Sequence, residues 1–360
     1  MRDIGGVEPE AGPAADRVSP ERLREFAAAV LAAAGLPLED AGRCAQLMVA
    51  ADARGSDGHG VFRLPQYTRR LLAGGINLRP AMRVVEEHAA TALLDGDNGM
   101  GHLVLSRAAE IAIAKADRSG VGWVGVRGSN HAGPAALYAA MPLGRDMIGL
   151  YLAIGNANHM APWGGVEMLL STNPIAIAVP AGEHPPVILD MATTVVAYGK
   201  VKTRVARCEP IPEGWMIDRL GNALTDPGRV GEGSLLPIGG FKGYGLALLF
   251  GLLAGTLNGA ALGREVVDFN ADDTTVTNTG HCLVAVKVAA FGDVGAFKAR
   301  VDAVCREIGE SQALPGREIR IPGEHSAALI AESARSGIAL HPELLGRLNQ
   351  LADSLRVSRL

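Results

Sequence analysis

Between Tyr244 and Leu262 the chain runs for 19 residues, YGLALLFGLLAGTLNGAAL, without one charge. Such a stretch has two possible homes. It is close to the length that crosses a bilayer, and Gly251 and Gly255 stand at the GxxxG spacing of membrane helices. Its flanks argue the other way, because no cluster of Lys or Arg borders it and the chain holds no second stretch like it. The expectation is an all-apolar helix buried at the centre of a large α/β domain, and no membrane span.

A chain of 360 residues, 48% hydrophobic and 20% charged, can build a core large enough to hide that helix. Its net charge of −4, with both signs interspersed, leaves no electrostatic footprint for nucleic acid. Cys44, Cys208, Cys282 and Cys305 stand far apart with no CxxC pair. They read as reduced, mostly buried thiols of a cytoplasmic protein, with neither a zinc site nor a disulfide framework. Residues 1–18 are acidic and rich in Gly and Pro, and read as a loose tail, not a signal peptide.

Ser19-Pro20 supplies an N-cap and a first-turn proline for a helix that stops at Gly35. A second helix is expected over residues 38–54, and RLPQYTRRLLAGG reads as a third ending at Gly74-Gly75. The pattern then alternates. ATALLDGD, VGWVGVRGS and DMIGLYLAIGN read as strands, separated by the helices GHLVLSRAAEIAIAKADRSG and GPAALYAAMPLG. PIAIAVP, PVILD and GHCLVAVKV add short strands, and helices close the chain around 293–309 and 342–354. Strands and helices in alternation indicate an α/β core.

The standard signatures are silent: no GxGxxG follows a strand, and no GxxxxGK[ST], GxSxG or HExxH occurs. Polar clusters nevertheless interrupt the apolar pattern at strand ends and glycine turns. SDGHGVFR sets His59 between two glycines with Arg63 four residues on, so a helix beginning near His59 puts both on one face. A cation beside an imidazole suits a small anionic substrate that exchanges a proton, whereas a surface turn is the plainer reading. RGSNHAGPAALYAA places Asn130 and His131 in a turn before a helix, whose N-terminus favours anions; a histidine that caps the turn accounts for it equally. Asn156, Asn158, His159 and Asn173 mark strand exits, where Asn usually serves turns. Asp190 ends an apolar strand and can cap a helix, fix the tautomer of a nearby histidine, or bond a ribose or an amide. Lys242, in the glycine turn of LLPIGGFKGYGLALL, is poorly explained by packing and better by a phosphate at the helix mouth.

Taken in order, RGSDGHGVFRLPQY, RGSNHAG, STNPIAIAVP, ILDMATTVVAYGKV, IPEGWMIDRLGNALTDP, LLPIGGFKGYGLALL and RIPGEHS…RSGIAL resemble the second malate/L-lactate dehydrogenase family. This group has no Rossmann fingerprint and includes malate, sulfolactate and ureidoglycolate dehydrogenases and the reductases of cyclic imino acids and diketogulonate. The resemblance runs from about residue 20 to the C-terminus. It implies a non-Rossmann α/β domain that binds NAD or NADP, with an additional N- and C-terminal helical or α+β portion, in a homodimer. The implied division is a substrate-side part from residues 19–120 with 290–360 and a dinucleotide domain over 121–289. By resemblance His59 is the proton donor or acceptor, Arg63 holds the substrate carboxylate, and His131 is a catalytic base. Asn156, Asp190, Met191, Ala192, Lys242 and the loop at Thr277-Asn278 fall where relatives contact the dinucleotide. One departure stands out: relatives have Ser-His-Gly where this chain has Gly58-His59-Gly60.

The implied activity is hydride transfer between a nicotinamide and C2 of a small 2-hydroxy or 2-oxo acid. The glycines would let substrate and nicotinamide approach His59 closely. Alternatives are a cyclic 2-imino acid reductase of the same family and a dinucleotide-binding homodimer that has lost turnover. A metal-dependent hydrolase built on His131, His159 and Asp190 lacks the tight spacing of metal ligands.

Overall fold

The computed structural model describes residues 16–360. β1 (Asp16–Val18) precedes three helices, α1 (Pro20–Ala33), α2 (Leu38–Ala53) and α3 (Leu64–Ala73). β2 (Arg83–Glu87) and β3 (Thr91–Asp95) lead through α4 (Gly101–Ser119) to β4 (Val121–Ser129). The four-residue α5 (Ala136–Ala139) precedes β5 (Met147–Ala153), β6 (Ile175–Val179) and β7 (Val187–Met191). Next come α6 (Tyr198–Ala206), the ribbon of β8 (Met216–Ile217) and β9 (Ser234–Leu235), and α7 (Phe241–Ala254). β10 (Thr279–Lys287), α8 (Val294–Gly309), α9 (Glu324–Ser336), β11 (Ile338–Leu340) and α10 (Pro342–Leu355) complete the chain.

Seven strands form one sheet in the order β2-β3-β4-β10-β5-β6-β7. Only β3 and β4 are parallel, joined by the α4 crossover; every other pair is antiparallel. The alternating pattern thus reports a mixed α/β sheet that is mostly antiparallel, because β5, β6 and β7 follow one another without a crossover helix. β10, the last of the seven in sequence, sits in the middle.

Local chemistry explains the ends of α1: Ser19 Oγ accepts from the Arg22 N–H at 3.2 Å, and Gly35 beyond it has φ +103°. α1, α2, α3 and α10 bury Leu23, Val30, Leu31, Met48, Leu64 and Leu348 in a core of their own. A second core lies where α4 and α5 cover the sheet, with Val104, Ala108 and Ala112 against Val124, Val126 and Leu283.

Several expectations need correction. The tail expected over 1–18 lies outside the described residues as far as 15, but Asp16–Val18 is a strand paired with β11. Arg17 anchors it by donating to Ser336 Oγ at 2.7 Å and pairing with Glu332 at 2.7 Å. The division drawn at residue 120 cuts through the large sheet, since β2, β3 and α4 pack with β4. The helix expected from GPAALYAAMPLG is only α5 and a 3₁₀ turn over Met141–Arg145.

The charge-free stretch also behaves differently. α7 ends at Ala254, and a 3₁₀ turn over Thr256–Asn258 follows, pinned by Asn258 Nδ2 donating to Ala254 O at 2.8 Å and His281 O at 2.9 Å. Only its small residues Gly243, Ala247, Gly251 and Ala254 are buried, on the side that meets β5 and β10. Phe241, Leu246, Leu249 and Leu252 are exposed. The helix is therefore half covered, not wrapped on all sides. Among the described residues no helix is long and apolar enough to cross a membrane.

Candidate active site

Strand register brings distant segments to one end of the sheet. Thr279 lies opposite Ser129, His281 opposite Ala153, and Ile175 opposite both Leu152 and Met191. The turns after β4, β5 and β7 and the segments before β6 and β10 consequently share an edge. Asn156 Nδ2 donates to Thr279 Oγ1 at 2.5 Å, and Thr279 Oγ1 lies 3.1 Å from Thr277 Oγ1. Thr277 Oγ1 in turn bonds Ser129 O at 2.9 Å. Asn173 Nδ2 donates to Ala247 O at 2.8 Å and so ties α7 to this edge.

Onto the edge the turn between α2 and α3 delivers His59 and Arg63. They do not share a helix face: His59 sits in the turn, Arg63 closes a 3₁₀ turn (Val61–Arg63), and α3 begins only at Leu64. Asp52 Oδ2 accepts from the Val61 N–H at 2.9 Å and folds the turn back. The glycines beside His59 have separate reasons. A Cβ on Gly60 would lie 2.0 Å from Asp52 Oδ1, so that glycine serves the internal bond. A Cβ on Gly58 meets nothing within 4 Å, which leaves open space beside the imidazole.

His131 is the centre of the cluster. Its ring lies 5.7 Å from that of His59 at 13° and 4.8 Å from that of Phe269 at 9°. Tyr67 Oη, buried on α3, is 2.5 Å from His131 Nδ1, and the Gly133 N–H reaches the same nitrogen at 3.4 Å. Nδ1 is thus engaged, and Nε2 has no protein partner among the described residues. Arg63 Nε donates to Gly58 O at 2.8 Å, and its Nη1 to Gln66 Oε1 at 2.9 Å and Asn270 Oδ1 at 3.1 Å. Its Nη2 has no partner among the described residues and is available to an anion.

The electrostatics follow from this packing. Burial, then the Arg63 charge, lowers the pKa of His59 to about 4. The same two causes, with His59, His102 and His281 behind them, hold His131 well below the usual range. Both imidazoles are neutral at neutral pH. Burial pushes the Tyr67 hydroxyl up, so it keeps its proton.

The remaining sequence candidates lie along the edge with varied partners. Asp190, on β7, accepts from the Ala136 N–H at 2.8 Å at the start of α5. It bonds no histidine; the tautomer-fixing role expected of it falls to Tyr67 on His131. Met191 and Ala192 are half-buried at the end of β7. Lys242 is exposed in the first turn of α7, after Gly239 and Gly240 at φ +58° and +65°, and no side chain caps that helix. Thr277 belongs to the edge network, whereas Asn278 accepts from the Gly128 N–H at 2.9 Å and donates to Gly259 O at 3.2 Å. Asn278 therefore anchors the backbone, at φ +43°, just before the irregularity in β10. His131, His159 and Asp190 have separate partners, and no three His, Cys, Asp or Glu among the described residues could hold a metal ion.

Sequence reasoning left Tyr67, Gln66, Phe269 and Asn270 unassigned, together with all of α6. Tyr198 of α6 stacks on His159 at 3.8 Å and 13°, and Lys202 Nζ stands 5.6 Å from the Tyr198 ring. Tyr67 carried a readable signal, since a tyrosine one turn after Arg63 on an apolar helix face needs a partner for its hydroxyl. Phe269 and Asn270 carried none.

The family model described as malate/L-lactate dehydrogenase matches residues 18–349. L-sulfolactate dehydrogenase of Methanocaldococcus jannaschii is 40% identical over 338 residues, spanning 94% of this chain and 97% of that protein. Malate dehydrogenase of Pyrococcus abyssi is 38% identical over 353 residues, 96% of each. The structure of malate dehydrogenase from Pyrococcus horikoshii superposes with a TM-score of 0.89 at 35% identity, covering 98% of this chain and 99% of that one.

Proposed function

The chain belongs to the malate/L-lactate dehydrogenase family, and on that premise we propose that it moves a hydride between NAD or NADP and C2 of a small 2-hydroxy or 2-oxo acid. The observation that carries the reading is one arrangement. An arginine whose Nη2 has no partner among the described residues stands in the same cluster as a histidine whose Nδ1 is held by a tyrosine and whose Nε2 likewise has none there.

The donor set also suits a dinucleotide. The uncapped N-terminus of α7 offers backbone N–H groups and a positive dipole end, and Lys242 adds a cation there, so both favour a phosphate. Asn156, Thr277 and the backbone at Met191-Ala192 line the edge where the rest would lie. NAD or NADP held there would supply the hydride acceptor in oxidation and the hydride donor in reduction.

The protein's own groups do the remainder. Arg63 Nη2 takes the C1 carboxylate and fixes the reacting carbon. In oxidation the 2-hydroxyl proton passes to His131 Nε2, with Nδ1–H donating to Tyr67 Oη; when Tyr67 donates instead, the ring carries its proton on Nε2. The Tyr67 hydroxyl can serve either tautomer, while the longer contact from the Gly133 N–H to Nδ1 favours the one protonated on Nε2, the form ready to donate in reduction. Burial is the main reason His131 stays unprotonated, and a carboxylate on Arg63 offsets the second, the Arg63 charge, so substrate binding makes the base somewhat stronger. His59 makes no side-chain hydrogen bond among the described residues and acts through stacking on His131.

The test is nicotinamide fluorescence on mixing with NADH and NADPH, followed by a panel of 2-oxo acids and one cyclic 2-imino acid. Oxidation of the dinucleotide by a 2-oxo acid is expected. Dinucleotide binding without turnover of any acid would leave a binding protein, and turnover of the imino acid alone would make it an imino acid reductase.

Gly58→Ser should melt like the parent, because the position has open space and no positive φ. Its hydroxyl narrows the space beside His59, so kcat/KM for a large 2-oxo acid should fall relative to pyruvate. An unchanged ratio would remove position 58 from specificity.

The assembly we assign is a homodimer in the cytoplasm. Four free cysteines suit a reducing compartment. The exposed row Phe241, Leu246, Leu249 and Leu252 on α7 suits burial against a second copy. Leu249→Glu, at a residue 57% exposed, should yield a monomer by analytical ultracentrifugation. A dimer that persists unchanged moves the contact elsewhere.

A further inference from the structure

Arg63 is held differently from other arginines of this chain. Arg127 meets Asp95 at 3.2 Å and Arg204 meets Glu209 at 2.8 Å, so a carboxylate offsets each of those cations. Arg63 has three acceptors among the described residues, Gly58 O, Gln66 Oε1 and Asn270 Oδ1, and all three are neutral. Two rings complete its surroundings, with the guanidinium carbon 5.6 Å from the centre of Phe62 and 5.5 Å from that of Phe269. An aromatic face favours a cation without cancelling its charge.

The two amides do more than accept. Gln66, buried on α3, donates through Nε2 to Phe269 O at 2.6 Å. Asn270 donates through Nδ2 to Asp268 Oδ1 at 2.8 Å. Each amide thus takes a bond from Arg63 with its oxygen and ties the 268–270 loop with its nitrogen. A carboxylate could accept at either place but has no hydrogen to donate. Asp268 is the telling case: its charge reaches Arg63, yet its Oδ1 is engaged by the N–H and Nδ2 of Asn270. Bond by bond, Asn270 stands between that carboxylate and the guanidinium. Gln66 also sets a register, because the ring of its partner Phe269 stacks on His131 at 4.8 Å and 9°.

We propose that Gln66 and Asn270 are positioning residues that hold Arg63 by neutral bonds alone, so that its charge stays uncancelled for the anionic end of the substrate. The proposal rests on the reading of Arg63 as the holder of the C1 carboxylate. Gln66→Glu would place a carboxylate where Oε1 now accepts from Nη1, and that internal anion would compete with the substrate for one cation. The same amides keep the anion holder and the base at a fixed separation, which is what a reacting carbon between them requires.

The experiment compares the parent with Gln66→Glu and Gln66→Met, side chains of similar length that differ in charge and bonding. Steady-state kinetics with oxaloacetate and pyruvate give KM and kcat, and fluorescence titrations give the dissociation constants of NADH and NADPH. Gln66→Glu should raise KM for the better of the two acids by about 10- to 100-fold, the range of one charge-assisted contact, with dinucleotide affinity unchanged. Gln66→Met loses the tether but leaves the cation free, so its KM should rise far less while kcat falls. Asn270→Asp and Asn270→Ala repeat the comparison from the other amide and carry it if Gln66→Glu does not fold. A KM no higher in the carboxylate variants than in their neutral counterparts would overturn the proposal. Arg63→Lys separates it from the reading beneath. If that variant raises KM while the carboxylate variants do not, the proposal alone falls; if it leaves KM unchanged, Arg63 does not hold the substrate and both fall. A parent that oxidises neither dinucleotide with any acid overturns the underlying function, and this proposal with it.

Discussion

Replacing His131 with Asn should lower kcat by about 10²–10⁴, the usual contribution of a positioned acid or base, with dinucleotide affinity left intact. The imidazole is held at Nδ1 by Tyr67 and stacked beside His59 and Phe269, so the substitution removes the proton carrier while the surrounding rings remain. Tyr67→Phe should cost less, since the ring stays and only its orienting hydroxyl goes. The pH profile carries a further signature. In free enzyme, burial and the Arg63 charge keep His131 neutral far into acid, so kcat/KM for oxidation should hold down to low pH. With a carboxylate on Arg63 that repulsion is offset, and the pKa seen in kcat should be the higher of the two. If His59→Asn abolishes turnover and His131→Asn spares it, the two histidines have exchanged roles.

Acid should unfold the protein steeply, for a reason independent of catalysis. His102 is fully buried on α4, and burial lowers its pKa to about 3; His281, on β10, is likewise lowered to about 3. Neither takes up a proton in the native state until well below pH 6.5, whereas an unfolded chain protonates both near that value. The unfolded state then binds more protons, and stability is lost as pH falls from about 6 towards 3. Two such groups give a slope of about 2–3 kcal/mol per pH unit, to which His131, His59 and His159 add in the same sense. Asp52 acts in the opposite sense within the same window: burial raises its pKa to about 8, so from about pH 4 to 8 it weakens the native state as pH rises and offsets about one histidine's share of the acid slope. His102→Leu should remove about one proton from the acid slope, or about 1.4 kcal/mol per pH unit. It should be tolerated near pH 7, where both ring nitrogens of His102 lack partners among the described residues. Urea titrations from pH 7 to pH 4 measure this, and an unaltered slope would show that His102 is not what the acid titrates.

The strands and helices that were legible are those with a strong internal period and clear caps. α1 announces itself through Ser19-Pro20 and Gly35, and β4 through an apolar run that a Gly-Ser turn closes. β2 was not seen because it is a mostly exposed edge strand, RVVEE, whose sequence carries no core face. α7 misled for a subtler reason. Its two faces differ in side-chain size and hardly at all in polarity, so hydropathy could not separate the buried Gly and Ala from the exposed Leu and Phe. In the cluster, His59, Arg63 and His131 were readable because polar groups in glycine turns at strand ends invite chemistry. Phe269 and Asn270 became visible only through tertiary folding, since a loop so far from Arg63 in sequence and without a motif has nothing local to announce it.

The placement of β10 sets the order in which the molecule can be assembled as it is synthesised. β2-β3-β4 and β5-β6-β7 can each form as soon as their own residues emerge, but each then ends in an apolar strand with an open edge. Both open edges accept β10 antiparallel, so β4 and β5 run parallel to one another and have no direct native pairing. Until Thr279–Lys287 has left the ribosome, no strand pairing joins the two halves of the sheet. Closure therefore depends on pairings far apart in sequence, which are slow to form, and the nascent chain must carry two sticky edges from the completion of β5 at Ala153 until β10 has emerged.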